Sequence, residues 1–379
     1  MFDKFITFVR ALYQSSSFIP LHEPTFKGNE KNYLNDAVDS TFVSSVGESV
    51  IEFENKISDF TGIKYAVAIV NCTSALHLSL LLAKVDKDTE VLTQSLNFIA
   101  GCNAISYCNA QPVFIDVDQE NLSICPDSLD SFLNERCEMR NDGLCWNKLT
   151  NKRVSACLPM NTYGFPSDSI RLKEICSKFN IPLIEDSAES LGSFSLQGHT
   201  GSHSLLSTLS FNGNKIITTG GGGMILTESP DLYKKAKHLS TTAKLEHSWH
   251  FIHDQVGFNY RMPNLNAALG LAQLELLPDF IESKRNIAEE YQNWGKENGV
   301  IFLKETKDNK SNYWLNCMML SNLEERDEFL AYTNKNNIMT RPTWKPIHQL
   351  DLYKNSANYG LPNTESIHER LVNVPSSPI

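Results

Sequence analysis

Two polar stretches of the chain carry residues that could do chemistry, and each also has an ordinary structural interpretation. Residues Asn71–Ser74 follow a strand-like run and open a helix-like one, so free N–H groups and the hydroxyls of Thr73 and Ser74 could bind a phosphate. Serine and threonine also favour helix N-caps for their own sake. Asp186 ends a buried strand-like run, where parallel sheets bind ligands, although a lone acid there is more often a helix cap or part of a solvated loop and gains meaning only with a partner lysine.

A third stretch combines a lysine with a glycine-rich loop. Lys215 stands five residues after Ser210, past a strand-like run, and Gly220–Gly223 follow it. Glycines allow a backbone to approach a ligand closely, and a lysine there could reach into a site. An exposed surface lysine is the ordinary alternative. The glycine run lacks the strand–GxGxxG–helix context of a nucleotide-binding loop.

The order of these stretches along the chain is what a pyridoxal phosphate site requires. The cofactor needs an anion site for its phosphate, a carboxylate that keeps its pyridine nitrogen protonated, and a lysine amine that forms a Schiff base. The helix start at Thr73, the acid Asp186 and the amine of Lys215 would supply these three functions. We therefore predict that the chain binds pyridoxal phosphate.

Composition excludes several other classes of protein. The formal net charge is -10, which argues against nucleic acid and against anionic membranes as partners. Nine cysteines are scattered without a CxxC pair, so we expect no disulfide framework, no metal site and a cytoplasmic location. No apolar run approaches the length of a membrane span.

The elements that must position these residues alternate between strand-like and helix-like from about residue 60 to 190. This alternation predicts an α/β fold with a mostly parallel sheet covered on both faces. Later residues predict a long helix over 264–293, interrupted near Pro278, and strands over 313–320 and 338–341 in a smaller α+β domain. We predict an N-terminal helical segment over residues 1–25, a large domain over 26–255 and a small C-terminal domain over 256–379.

Four longer stretches make the chain resemble a known family. They are IPLHEPTFKGNEKNYL, FVSSVGESV, LSFNGNKIITTGGGG and VGFNYRMPNLNAALG. Over nearly its whole length the chain resembles the DegT/DnrJ/EryC1/StrS sugar aminotransferases. Within that family it most resembles the LegC-like enzymes, which aminate C4 of UDP-4-keto-6-deoxy-N-acetylglucosamine on routes to legionaminic acid or bacillosamine-type sugars. The resemblance implies fold type I of the pyridoxal phosphate transferases (aspartate aminotransferase-like), glutamate as amino donor and a nucleotide-sugar substrate.

The resemblance also implies a role for individual residues. Lys215 would hold the cofactor and carry the proton, Asp186 would pair with the pyridine nitrogen, and Glu189 would lie near the ring hydroxyl. Asn259 would reach the phosphate of the neighbouring subunit, which implies a homodimer with shared active sites. The further cofactor contacts would be Thr73, Ser74, Phe98, which stacks on the ring, and Ser210. Trp344 and His348 lie in a segment that resembles the family's substrate-facing one, so they are the implied substrate contacts. Arg261 is also predicted to contact the substrate, because its guanidinium could bind a phosphate or carboxylate with two hydrogen bonds, although it could instead belong to structure that joins the domains.

Three positions depart from the common pattern of the family. Cys72 replaces a glycine, Asn161 replaces a histidine that often precedes the Tyr-Gly pair, and Glu189 replaces a glutamine. Two other functions stay open. A pyridoxal phosphate-dependent sugar dehydratase would carry histidine in place of Lys215, and a non-catalytic regulatory protein that binds the cofactor would have no need of that amine.

Overall fold

The computed structural model describes residues 1–379 as a chain of alternating helices and strands. The helices are α1 Phe2–Leu12, α2 Glu30–Asp39, α3 Glu48–Thr61, α4 Cys72–Leu82, α5 Ala100–Tyr107, α6 Pro126–Arg136, α7 Ser169–Lys178, α8 Pro230–Ser240, α9 Asn264–Glu275, α10 Leu277–Asn298, α11 Leu323–Lys335 and α12 Pro362–Arg370. Helices α2, α3 and α12 lie outside the elements predicted from sequence. None of the helices is both long and apolar enough to cross a membrane.

The strands form one large sheet and smaller ones. They are β1 Tyr65–Ile69, β2 Thr89–Gln94, β3 Gln111–Ile115, β4 Cys137–Met139, β5 Cys145–Asn147, β6 Lys152–Leu158, β7 Ile184–Asp186, β8 Phe194–Ser195, β9 Gly198–His199, β10 Leu206–Ser210, β11 Gly223–Thr227, β12 Ile301–Phe302, β13 Asn309–Lys310, β14 Asn316–Met319, β15 Arg341–Pro342 and β16 Leu371–Val374.

Parallel bridges from Cys157 to Leu183 and from Met160 to Asp186 connect β6 with β7. They join the four strands β1-β11-β10-β7 to β6-β2-β3, which makes one large sheet. Strand β11 runs antiparallel to both of its neighbours, and the other strands run in one direction. The prediction of a mostly parallel sheet is confirmed. Because six strands share a direction, their carboxyl ends meet at one edge, where parallel sheets bind ligands.

Helices cover both faces of this sheet. On one face α4, α5 and α8 bury apolar residues such as Leu76, Ile105 and Ala236 against the strands. On the other face α3 and α9 contribute Phe53 and Leu271. The strands are therefore shielded from water on both sides, which explains why they read as apolar runs in the sequence.

The C-terminal part has its own antiparallel sheet, β12-β14-β16-β15. Its core combines Phe5 of α1, Tyr291 of α10 and Phe329 of α11 with Val372 of β16, so the N-terminal helix packs onto the C-terminal part. Helix α9 instead shares a core with the large sheet, although the predicted boundary at residue 255 assigns it to the small domain. The domain division stays a prediction.

Two predicted strands are shorter in the structure, for local backbone reasons. Of the strand predicted over 338–341 only β15 forms, because Asn337 has a left-handed φ of 59° and the N–H of Ile338 closes the end of α11 on Thr333 O. The strand predicted from Tyr313 begins only at Asn316, since Tyr313 has a φ of 46° and bends the chain. The predicted interruption near Pro278 is the junction of α9 and α10, where Pro278 occupies the first turn of α10.

Candidate active site

A cavity of about 330 Å³ lies at the edge where the parallel strands end. Its walls contain residues that follow β1, β2, β6, β7 and β10, together with aromatic side chains of the C-terminal part. Among the residues predicted from sequence, the cavity brings together Thr73, Phe98, Asp186, Glu189, Ser210, Lys215 and Trp344.

The start of α4 forms one end of the cavity. Asn71 caps the helix, because its Oδ1 accepts the N–H of Ser74 at 2.8 Å. That N–H is therefore occupied, and Ser74 does not line the cavity, whereas Thr73 does. The first N–H groups of a helix have no partner within it, so those of Cys72 and Thr73 remain available for an anion. The predicted contact of Thr73 and Ser74 with a phosphate stays a prediction, and of the two only Thr73 lines the cavity.

The glycine run closes tightly over this helix start. A Cβ on Gly223 would lie only 2.6 Å from the carbonyl carbon of Asn71 and 2.7 Å from the nitrogen of Cys72. Any side chain there would force the helix start and β11 apart. Cys72, which replaces the usual glycine, is buried, and its Sγ lies 3.6 Å from the hydroxyl of Thr208.

Asp186 ends β7 and presents one free oxygen to the cavity. Its Oδ1 accepts the N–H of Ala188 at 3.1 Å, and Oδ2 accepts no hydrogen bond from the chain. The pKa of Asp186 is raised to about 6, mainly by burial; the charge of Glu189 adds to the rise, while the Ala188 N–H and Lys215 oppose it. A cation placed against Oδ2 would offset the cost of burying this charge. A protonated pyridine nitrogen is such a cation.

Lys215 reaches the cavity between a carboxylate and an aromatic face. Its Nζ lies 3.0 Å from Glu189 Oε1 and 3.9 Å from the centre of the Trp314 ring. The other oxygen of Glu189 accepts the N–H of Tyr163 at 2.8 Å. Burial raises the pKa of Glu189, and the adjacent lysine charge opposes this shift. The amine is therefore oriented by its surroundings while the cavity leaves it accessible.

Aromatic side chains form the remaining walls. Phe98 is 51% exposed at the cavity, so one face of its ring is available for stacking. Its ring centre lies 6.3 Å from that of Trp344, which in turn lies 4.7 Å from Tyr163. Trp314 also lines the cavity but was absent from the sequence predictions. Only the bend at Tyr313 turns this tryptophan towards Lys215, and the sequence shows no signal of that bend.

Four further residues that the sequence singled out lie outside the cavity: Asn161, Asn259, Arg261 and His348. His348 is held by Ser95, whose Oγ is 2.8 Å from its Nδ1 and 3.0 Å from its backbone nitrogen. His348 does not line the cavity, and its predicted substrate contact stays a prediction. Asn161 is buried and donates to Glu185 and Ser187, so it serves the packing of β7 instead of facing a sugar.

Asn259 and Arg261 lie on the segment that precedes α9. Its Tyr260 accepts the N–H of Val70 at 2.7 Å, so the segment runs beside β1. Asn259 is exposed and Arg261 half-buried, and neither lines the cavity of its own chain.

The residues that meet here fit pyridoxal phosphate. The start of α4 and Ser210 would hold its phosphate, Asp186 its protonated pyridine nitrogen, Phe98 the face of its ring and Lys215 its carbonyl carbon. The free Oδ2 of Asp186 is the feature that calls for a buried cation. The same cavity contains the amine that such a cofactor needs.

The comparison with known proteins then decides the family. The model of the DegT/DnrJ/EryC1/StrS aminotransferase family matches residues 24–379. The chain belongs to this family. Membership confirms the family predicted from sequence, fold type I and pyridoxal phosphate as the cofactor, and it makes the protein a sugar aminotransferase. The LegC-like subgroup stays a prediction.

Individual relatives agree with this assignment. The chain is 36% identical to GDP-perosamine synthase of Escherichia coli O157:H7, over 95% of this chain and 94% of that one. It is 34% identical to EpsN of Bacillus subtilis, provisionally described as a pyridoxal phosphate-dependent aminotransferase, over 93% and 88% of the two chains. The crystal structure of the aminotransferase TlmJ from Streptoalloteichus hindustanus is 25% identical, with a TM-score of 0.85 over 95% and 93% of the two chains.

Proposed function

We propose that the protein transfers an amino group from glutamate to C4 of a nucleotide-linked 4-keto-6-deoxy sugar. The products would serve the synthesis of surface glycans that contain nonulosonic acids or bacillosamine-type sugars. The observation that carries the proposal is the meeting of Lys215, Asp186 and the start of α4 in one cavity. An amine, a buried acid and an anion site are the three functions that this chemistry needs.

The chain's own residues would divide the work as follows. The bound cofactor supplies an electron sink for the carbon that loses or gains nitrogen. Asp186 keeps the ring nitrogen protonated, and the Nζ of Lys215 removes a proton from the donor and returns one to C4 of the sugar. Glu189, 3.0 Å from that Nζ, orients the amine. Trp344 and Phe98 would line the sugar's approach because both border the cavity mouth.

Two nucleotide carriers are candidates for the substrate. The resemblance to LegC-like enzymes favours UDP-4-keto-6-deoxy-N-acetylglucosamine. The relatives named GDP-perosamine synthase, 36% identical in Escherichia coli O157:H7 and 33% in Vibrio cholerae, favour a GDP-linked keto sugar. Both carriers fit a C4 amination of a nucleotide-linked sugar, so the substrate test must include both.

The absorption spectrum of the purified protein with pyridoxal phosphate tests the proposal. We expect glutamate to convert the band of the lysine-bound cofactor into that of the pyridoxamine form, and the correct keto sugar to restore it. Restoration by the UDP sugar or by the GDP sugar identifies the carrier. Restoration by neither points to another keto sugar. A band that glutamate leaves unchanged would favour the regulatory alternative, and loss of sugar hydroxyl without amine transfer would favour the dehydratase.

We also propose a homodimer in which Asn259 and Arg261 complete the site of the second copy. Supporting this, both residues lie outside the cavity of their own chain, and Asn259 is exposed. Mixing Lys215→Ala with Asn259→Ala subunits would create one intact site per hybrid dimer, so about a quarter of wild-type activity should return. An inactive mixture of exchanging subunits contradicts the shared site. The cytoplasmic location stays a prediction.

A further inference from the structure

We infer that Glu189 and Trp314 form a seat that holds the ε-ammonium group of Lys215 whenever its amine is free of the cofactor. We call these two side chains the lysine seat. Nothing in the sequence patterns links Trp314 to the lysine, because the two residues lie 99 positions apart in different parts of the fold (314 minus 215). The inference deepens the proposed function, on which it rests, by assigning a positioning residue for the proton-carrying amine.

The contacts of the ammonium group are the first support. The carboxylate of Glu189 lies 3.0 Å from Nζ, and the indole of Trp314 presents its ring centre at 3.9 Å. Only 13% of the lysine side chain and 1% of the glutamate side chain are exposed. Attraction between a cation and an aromatic face is strongest where water is excluded, so both contacts act on the amine here.

The two members of the seat are tied together by one buried amide. Asn312 donates to the backbone oxygen of Glu189 at 3.0 Å and accepts the N–H of Trp314 at 2.8 Å. Its oxygen is packed so tightly that a Cβ on Gly164 would lie 1.9 Å from it. The backbones that carry the carboxylate and the indole are therefore held together by the fold, and this link does not involve the lysine.

Trp314 also holds the backbone next to the lysine. Its indole N–H donates to the backbone oxygen of Asn214 at 2.7 Å, one residue before Lys215. The indole thus positions the loop and, through its face, the end of the side chain. A long flexible side chain fixed at both ends stays close to its point of action when it releases the cofactor. The seat would keep the amine in place between the two halves of the reaction.

Chemical labelling of Lys215 tests the seat without turnover. We would treat the pyridoxamine form, in which the amine is free, with acetic anhydride and measure acetylation of each lysine by peptide mass spectrometry. Lys354, whose side chain is 61% exposed, serves as the internal reference. We expect Trp314→Leu to raise the Lys215-to-Lys354 labelling ratio about five-fold, because the indole no longer covers the amine. Trp314→Phe retains an aromatic face and should raise the ratio much less.

Matched controls distinguish loss of the lysine seat from a nonspecific destabilisation of the fold. Trp146→Leu removes a tryptophan that contacts Arg140 outside the cavity, at 4.5 Å, and should leave Lys215 labelling unchanged. Glu189→Gln should raise labelling by removing the charge while keeping the shape. If neither Trp314→Leu nor Glu189→Gln changes the labelling ratio in folded protein, the lysine seat is wrong. Because labelling needs no keto sugar, this result is independent of the substrate assigned above.

A kinetic measurement distinguishes positioning from mere stability. Glutamate deuterated at its α carbon should show a larger isotope effect in Trp314→Leu than in wild type, since a misplaced amine makes proton transfer slower. Trp314→Phe should restore the wild-type value. If Trp314 had only a structural role, Trp314→Leu would reduce the amount of folded enzyme but leave the isotope effect of the folded enzyme unchanged. An unchanged isotope effect would therefore overturn the seat.

Discussion

Lys215 and Lys284 both contact Trp314, and their surroundings give them opposite characters. Lys284 of α10 is fully buried and donates to the backbone oxygens of Trp314, at 3.1 Å, and of Ser376. No carboxylate pairs with its amine, and burial lowers its pKa well below the usual value. Lys215 instead faces a carboxylate and an aromatic ring at the wall of a cavity. Lys284 has a structural role, because its amine is bonded to backbone carbonyls in the core. Lys215 has a counter-charge and an open cavity beside it, so its amine stays available for chemistry.

The largest effect should come from removing the cavity lysine. Lys215→Ala removes both the group that binds the cofactor and the proton carrier, so we expect turnover to fall by about 10⁴-fold or more. The cofactor-free variant should also lose stability at neutral pH, because the buried Glu189 carboxylate loses its counter-charge. Turnover with glutamate and a keto sugar, together with urea unfolding, measures both quantities. Appreciable amino transfer by this variant would refute the assignment of Lys215.

Asp186→Asn should reduce turnover by roughly 100-fold or more, because the ring nitrogen loses the charge that keeps it protonated. The same change should stabilise the cofactor-free protein. The folded-state pKa of Asp186 is raised from 3.8 to about 6, so the ionised carboxylate carries a cost of up to about 3 kcal/mol at pH 8. This cost shrinks as the pH falls from 6 and vanishes below 3.8, where the carboxyl is protonated in both states.

Urea unfolding of the cofactor-free wild type and of Asp186→Asn at pH 8 and pH 5 tests whether the substitution stabilises the protein and whether the gain depends on pH. The gain in free energy of unfolding should be larger at pH 8. Glu185→Gln, on the same strand, offers a control for a buried acid outside the cavity. An equal gain at both pH values would mean that the charge of Asp186 is not the cause.

The smallest effect on catalysis should come from the core lysine. Lys284→Met leaves the oxygens of Trp314 and Ser376 without donors, which should cost about 1–3 kcal/mol of stability. Because the folded-state pKa of Lys284 is lowered, the unfolded wild-type chain binds more protons, and wild-type stability rises with pH. The loss in the Met variant should therefore be larger at pH 9 than at pH 6.

Activity per folded molecule of Lys284→Met should stay within a few-fold of wild type, which is the contrast with Lys215→Ala. Urea unfolding at the two pH values and turnover at 25 °C provide the data. A loss of turnover comparable to that of Lys215→Ala, without unfolding, would erase the distinction between the two lysines.

Much of the site could be predicted because its reactive residues lie in short stretches of the sequence. Lys215, Asp186 and the helix start at Thr73 each follow a strand, and strands of a parallel sheet end at one edge whatever their separation in sequence. Apolar runs and their spacing were enough for that step. Ser74 and His348 lie outside the cavity, since a side chain's proximity to a site also depends on which neighbour it already bonds, and their predicted contacts stay predictions. The cap made by Asn71 and the tether made by Ser95 became visible only in three dimensions.

The sequence by itself determined the family and the α/β class and predicted the lysine and the acid, because these follow from local patterns and from their order along the chain. Only the tertiary structure brought Trp314 to Lys215. That contact depends on the left-handed turn at Tyr313 and on the bonds of Asn312 to both Glu189 and Trp314. The bond from Asn312 to Glu189 joins residues 123 positions apart, and no local preference encodes it. The surroundings that distinguish Lys215 from Lys284 are therefore a property of the folded chain.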